Sequence, residues 1–420
     1  LPRSYLFALL FSACALAVSA PPAVPKTHKL LVISIDGMDA RFLNDPALHV
    51  KVPNIRKLMK DGASATVIGV APSETWPAHA SIVTGVSPWQ NGIPSNAADT
   101  VDDRYFSASA FKTETLWGAA THAGLKVATI YWPSTLGAAV AVDFPEYWQS
   151  HKGNAVPYDP ISQKATPAGI GARVAKVFPS FEKELWDDST SANAALYLMG
   201  SDKPDVIFLH MIEADGEQHE TTALSIYARD VLENDDDLIG QILKKMEPGT
   251  LVALVSDHGF ENDNRTVRPK VLLRQMGVKG RVEVADGLIG TSDPAVAEAL
   301  RKLMAQGKKN GMAREVKIAE VKARVPALGR WVAAFDTLPD CVASDDEHGA
   351  GVGPGTHNGA HGFWPTRPGY RSLFILSGDG VRPVRLGEID MLQIAPTLAE
   401  AIGVKLPAAK SQSLWKSISR

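Results

Sequence analysis

Six short runs of mostly apolar, β-branched residues constrain the fold most: "KLLVISID" (29 to 36), "ATVIGVA" (65 to 71), "KVATIYW" (126 to 132), "DVIFLHM" (205 to 211), "TLVALVSD" (250 to 257) and "SLFILSG" (372 to 378). A strand that is apolar at consecutive positions leaves neither face to water, so it belongs in a sheet covered on both sides. Segments of helical period separate the runs, which implies an α/β fold whose central, mainly parallel sheet carries helices on both faces. The chain has 420 residues, 45% of them hydrophobic, enough for a core of that size. Helical candidates include 55 to 60 and 223 to 246, where Leu224, Tyr227, Ala228, Val231, Leu232, Leu238, Ile239 and Ile242 keep helical spacing. The acidic run Asp235-Asp236-Asp237 on the second of these reads as a solvated face.

Between residues 264 and 330 the texture changes: 15 Lys/Arg stand against 6 Asp/Glu. Residues 262–350 therefore read as an inserted subdomain or cap, with the core formed by 27–261 and 351–420. The excess charge either steers anions or simply covers solvated helix faces. The formal net charge of −3 supplies no general attraction to nucleic acid or anionic membranes. The expected partner is a small molecule rather than a nucleic-acid duplex; oligomeric state is not encoded.

The first 20 residues, with Arg3, an apolar run from Tyr5 to Val18 and Val18-Ser19-Ala20 before a Pro pair, have the pattern of a secretory signal cleaved after Ala20. That implies export to a periplasm or the exterior, without a membrane span. Acylation at Cys14 is the weaker reading, because more apolar residues follow it. With the signal removed, Cys341 is the one remaining cysteine, so no intramolecular disulfide forms.

In an open sheet, ligands bind at the carboxyl ends of the strands. Three runs end in metal-ligand residue types: Asp36 after the first, Asp215 and His219 after the fourth, and Asp257-His258 after the fifth, while a later loop offers His357 and His361. Each has a plain alternative as a cap, a turn or a hydrogen-bonded histidine. Together, mixed Asp and His suit zinc in number enough for two ions. The stretch "PSETWPAHASIVTG" (72 to 85) adds Thr75 where a loop becomes a helix, as an N-cap or as a nucleophile in a positive field.

The ordered set "SIDGM", "PSETWPAHASIVTGVSPWQNGIPSN", "YWP", "DGEQH", "SDHGF" and "AHGF", with the tail "EIDMLQIAPTLAEAIGVKLP", resembles the nucleotide pyrophosphatase/phosphodiesterase branch of the alkaline phosphatase superfamily. The resemblance runs from Lys29 to Pro407 apart from the insert, and implies an alkaline-phosphatase-like fold. It implies two Zn²⁺, with Mn²⁺ or Fe as alternatives. One ion would be held by Asp36, Asp257, His258 and the Thr75 hydroxyl, the other by Asp215, His219 and His361. Thr75 would be the nucleophile of a phosphodiester or nucleotide substrate, passing through phospho-threonine, with Asn96 and the Trp76 amide donating to phosphoryl oxygens. His357 is secondary.

Two departures from the family pattern matter. His210 stands, as an expected substrate-binding residue, where the family has a tyrosine that sandwiches a base, with Trp76 and Trp132 as the aromatics expected beside the substrate. Trp364-Pro365 replaces the family's Asp-Asn after the last motif. His79, one helical turn beyond Thr75, reads as structural. No Lys or Arg adjoins the motifs, which favours a monoanionic diester over a dianionic monoester. The alternatives are a phosphomonoesterase, sulfatase or phosphonoacetate hydrolase on the same scaffold, or a binding protein without turnover.

Overall fold

The computed structural model describes residues 29–96, 104–147, 150–151, 154–155, 162–181 and 187–420. The signal-like segment 1–20 lies outside them. No helix among the described residues is long and apolar enough to cross a membrane.

Each of the six apolar runs contains a strand, and two further strands complete an eight-stranded sheet. In chain order the strands are β1 (Leu30–Ile35), β2 (Ala63–Ile68), β3 (Val127–Ile130), β4 (Val142–Phe144), β5 (Val206–Met211), β6 (Leu251–Val255), β7 (Ser372–Ser377) and β8 (Val384–Asp390). Their spatial order is β8-β2-β7-β6-β1-β5-β3-β4. All pair in parallel except β7, which runs against both β2 and β6.

Alternate residues of β1 serve two cores. Leu31, Ile33 and Ile35 face helices α1 (Pro53–Asp61), α3 (Asp188–Ser201) and α5 (Ile226–Lys245) through Ile55, Leu198, Leu232 and Ile239. Leu30 and Val32 face α2 (Thr75–Thr84) and α6 (Ile394–Ala401) through Ala78, Ile82, Ile394 and Leu398. A further helix, α4 (Glu213–Glu220), follows β5.

The acidic run on α5 departs from expectation. Asp235 and Asp236 are buried. Asp236 accepts from the backbone N–H groups of Asn54 and Ile55 at 3.0 and 2.7 Å. It thereby satisfies free donors at the start of α1, a demand that outweighs hydration because α1 and α5 pack side by side.

Residues 283–291 and 312–337 form a separate antiparallel four-stranded sheet, packed on the helix Pro294–Ala305 around Ile289, Leu300 and Phe335. Several basic residues of 264–330 form ion pairs: Arg265 with Asp340, Lys270 with Asp345 and Glu347, Arg301 with Glu315, and Arg330 with Glu283. Trp364 of the core is fully buried among Leu288, Val321 and Trp331 of this segment, and its indole N–H donates to Glu320 at 2.7 Å.

Candidate active site

β1 runs directly into Asp36, and Gly37 turns the chain with φ +63°. A Cβ at Gly37 would stand 3.0 Å from the Phe260 ring and 3.2 Å from Asp215 Cα, so the close approach also requires glycine. The Gly37 N–H donates to Asp257 Oδ1 at 3.0 Å, and its carbonyl accepts from Gln218 Nε2 at 2.9 Å. One turn thereby ties the end of β1 to the end of β6 and to α4.

Asp215 and His219 lie one turn apart on α4, with His219 Nε2 3.4 Å from Asp215 Oδ2. His219 Nδ1–H donates to the Gly359 carbonyl at 3.0 Å, which leaves Nε2 as the ring's lone-pair nitrogen. His258 Nε2 is 3.0 Å from Asp257 Oδ2, 3.5 Å from Asp36 Oδ1 and 3.9 Å from Asp215 Oδ1. His361 Nε2 is 3.9 Å from Asp215 Oδ1, and its ring stacks on His258 with centroids 3.9 Å apart. Two triads have ligand atoms within 4.8 Å of one another: Asp215, His219 and His361, and Asp36, Asp215 and His258. Asp215 belongs to both. His357 belongs to neither; its backbone N–H donates to Asp263 at 3.0 Å.

The donor set fits divalent cations on its own terms. Asp36 Oδ1, Asp215 Oδ1, Asp257 Oδ2 and His258 Nε2 are buried atoms without a hydrogen-bond partner. Burial, reinforced by repulsion from Asp257, raises Asp36 and Asp215 well above the usual carboxylate range. Burial would raise Asp257 too, but His258 and His79 overcome it and hold that carboxyl low. Burial lowers His219 and His361, and lowers His258 to about 4, keeping all three imidazoles neutral with lone pairs available. Buried carboxylates crowded with neutral histidines are the environment a divalent metal satisfies.

Thr75 is the first residue of α2, not its cap: Glu74 occupies the N-cap position, and no side chain caps the helix. One turn on, His79 Nδ1–H donates to the Thr75 carbonyl at 2.8 Å while Nε2 accepts from Ser34 Oγ at 2.8 Å. Thr75 opens onto a cleft of about 280 Å³ lined by Asp36, Thr75, Trp76, Asn96, Glu146, His210, Ile212, Asp215 and Gly216.

Three expectations for substrate contacts change. The Trp76 N–H points at Asn96 Oδ1, 2.8 Å away, so it orients that amide and leaves the Asn96 NH₂ as the donor. His210 is buried and gives Nε2 to Asp36 Oδ2 at 3.1 Å and Nδ1 to the Tyr131 carbonyl at 3.1 Å, which makes it a brace for Asp36 rather than a stacking face. Trp132 is fully buried behind His79 and Phe208, with centroids at 5.0 and 5.3 Å, and does not line the cleft. Glu146, by contrast, lines the cleft and carries no motif; a single acid in the apolar stretch "FPEYW" was its one sequence signal.

Comparison with known proteins follows the same lines. The sequence model of the type I phosphodiesterase / nucleotide pyrophosphatase family matches residues 30–340. The chain is 26% identical over 267 residues to ectonucleotide pyrophosphatase/phosphodiesterase family member 3 of Rattus norvegicus, covering 59% of this chain and 27% of that protein. It is 27% identical over 257 residues to member 1 of Homo sapiens, covering 57% and 24%, and 26% identical over 257 residues to venom phosphodiesterase 2 of Crotalus adamanteus, covering 57% and 28%. The chain thus spans about a quarter of the length of these curated relatives. Among solved structures, murine ectonucleotide pyrophosphatase/phosphodiesterase 5, an inactive threonine-to-alanine variant in complex with AMP, superposes with TM-score 0.61 at 17% identity over 93% of this chain and 100% of that one. The human protein 5 gives 0.62 at 16%, with the same coverage. These two share the α/β, alkaline-phosphatase-like fold. By the span of the matching family model, the chain belongs to the type I phosphodiesterase / nucleotide pyrophosphatase family.

Proposed function

We propose that the protein is an exported, metal-dependent phosphodiesterase or nucleotide pyrophosphatase that cleaves small phosphodiesters or phosphoanhydrides by way of phospho-threonine at Thr75. The observation that carries the reading is the convergence of Asp36 from the end of β1, Asp257 and His258 from the end of β6, Asp215 from α4 and His361 from a later loop beside the cleft onto which Thr75 opens. Two divalent cations, zinc by preference for mixed Asp and His, would sit on Asp36, Asp257, His258 and Thr75 and on Asp215, His219 and His361, with Asp215 within reach of both, and would stabilise the charge on attacking and departing oxygens.

The chain's own contribution starts with Thr75. Its Oγ forms the new bond to phosphorus as the bond to the departing ester oxygen breaks, and water later cleaves the phospho-threonine. The N-terminus of α2 places backbone dipoles behind the phosphoryl group. Asn96, its oxygen turned to the Trp76 amide, offers its NH₂ to a non-bridging oxygen. His210 keeps Asp36 in place, and His79 anchors the Thr75 carbonyl. Residues 262–350 serve as a cap docked on Trp364.

Charge selects the diester. Two divalent cations balance three aspartates and the deprotonated Thr75 oxygen, so a monoanionic substrate leaves one uncompensated charge and a dianionic monoester leaves two. No Lys or Arg is among the described residues lining the cleft to offset the second. Assay of bis-p-nitrophenyl phosphate, p-nitrophenyl phosphate and p-nitrophenyl sulfate with zinc-loaded protein tests this: the diester is expected to be hydrolysed fastest, and a clear monoester or sulfate preference would select the phosphomonoesterase or sulfatase alternative.

A further inference from the structure

α4 carries Asp215 and His219, yet little in its own sequence holds it as a helix. It has eight residues, Gly216 stands in its middle, and Ile212 before it offers no side-chain acceptor to the free N–H groups of the first turn. A helix that short is marginal by itself. The acceptor comes from another helix. Asp188, the buried first residue of α3, accepts the Ile212 N–H at Oδ1 over 2.6 Å and the Glu213 N–H at Oδ2 over 3.1 Å. Glu213 returns the bond, its Oε2 accepting the Asp188 N–H at 2.9 Å. Each helix thus caps the first turn of the other with a carboxylate set against the positive end of its dipole.

Asp235, the buried acid on α5 beside Asp236, stands behind Asp188. The two carboxyls are hydrogen-bonded to each other, which takes one proton between them. Asp188 already accepts two backbone N–H groups and so keeps the charge, while Asp235 keeps the proton. Burial and Asp188 raise Asp235 well above the usual carboxylate range; burial and Glu213 raise Asp188 to about 7. Glu213 and Asp187 face the pair as well. Asp235 Oδ2 is buried without an N–H or hydroxyl partner, as expected of the oxygen that carries the proton. Among the described residues the groupings of metal-ligand size are the two triads of the cleft, so these acids serve amides and not a cation.

We infer, on the basis of the two-metal reading above, that Asp188 is a positioning residue of the metal centre: by capping α4 it fixes Asp215 and His219, and Asp235 holds it in that role. The route is short. Asp215 lies in the turn that Asp188 anchors, and His219 lies one turn further along the same face.

Two isosteric variants of the buried pair test this. In Asp188→Asn an NH₂ meets one of the N–H groups at the start of α4, donor against donor; in Asp235→Asn the amide supplies the donor that the acid supplied, and Asp188 keeps both bonds. Equilibrium dialysis against zinc, with circular dichroism on the same samples, is expected to show the affinity for the weaker ion falling about 10- to 100-fold in Asp188→Asn and less than about threefold in Asp235→Asn. Raising zinc until the weakened site fills should restore most of the Asp188→Asn rate on bis-p-nitrophenyl phosphate with no change in circular dichroism, a rescue that a general loss of structure would not give. Hydrogen exchange on zinc-free wild type needs no substitution: the Ile212 and Glu213 amides are expected to exchange about 100-fold or more slowly than unstructured amides. Wild-type zinc affinity in Asp188→Asn, equal losses in the two variants, or freely exchanging Ile212 and Glu213 amides overturn the inference alone. A wild type that binds no zinc, manganese or iron overturns the two-metal reading and this inference with it.

Discussion

His79 Nδ1 lies 2.8 Å from the carbonyl oxygen of Thr75, one helical turn away, while its other ring nitrogen is held by Ser34 on β1. The first turn of α2 is thereby pinned to the central sheet through a buried imidazole. Replacing His79 with Phe keeps the ring and removes both bonds. The expected result is a 10- to 100-fold drop in kcat, on the order of misplacing a nucleophile, and about 1–3 kcal/mol of lost stability from the orphaned polar groups. Bound zinc should stay at the wild-type level, which kinetics with metal analysis on the same samples would check; a wild-type kcat would refute the positioning role.

Thr75→Ala removes the proposed nucleophile while leaving every Asp and His of the two ligand sets. Hydrolysis should fall by about 10³-fold or more, with circular dichroism unchanged and at least one metal retained. Thr75→Ser should recover part of the rate. Full activity in Thr75→Ala would show that another group attacks phosphorus.

Asp215 stands in both triads, whereas His219 stands in one. Asp215→Ala is therefore expected to lower metal content further than His219→Ala, by equilibrium dialysis against zinc. Chelation should lower the melting temperature of the wild type and added zinc restore it, because the ions bind the folded state; at 100 times Kd that linkage is about 2.7 kcal/mol. Equal metal loss in the two variants would argue against the shared role of Asp215.

Asp143 on β4 is a test of pH dependence away from the metal centre. Burial raises its carboxyl to about 7, against a hydrogen bond from Thr129 Oγ at 2.7 Å that lowers it. The folded state therefore holds a proton that the unfolded chain releases near pH 4, so stability declines as pH rises from about 4 to about 7. The decline from this group is up to about 4 kcal/mol, and Asp143→Asn should remove it. Urea melts of both proteins at pH 5 and pH 8 measure the difference; parallel pH profiles would exclude Asp143 as its source.

The sheet was legible because its signal is local. A run such as "LLVISI" must be buried on both faces wherever it goes, and the residue that ends it must lie at the sheet's carboxyl edge. That placed Asp36 and Asp257-His258 at one edge, with Asp215 and His219 after the fourth run, before any packing was known; that the last two share a face of α4 came from the structure. Side-chain direction was a different matter, since it depends on which distant element arrives alongside. Asp236 reads as a solvated acid until α1 presents its N-terminus, 182 residues away in sequence. Trp132 reads as a substrate contact until His79 and Phe208 cover it. The Trp76 amide reads as a phosphate donor until Asn96 takes it, and Glu146 reads as nothing until its second oxygen is found buried and unpartnered beside Thr75. Periodicity and chain order thus determined the layers and the edge where chemistry gathers. Only tertiary packing decided which polar groups there are spent on one another and which are left for a ligand, because hydrogen bonds saturate and each partner is chosen by three-dimensional proximity.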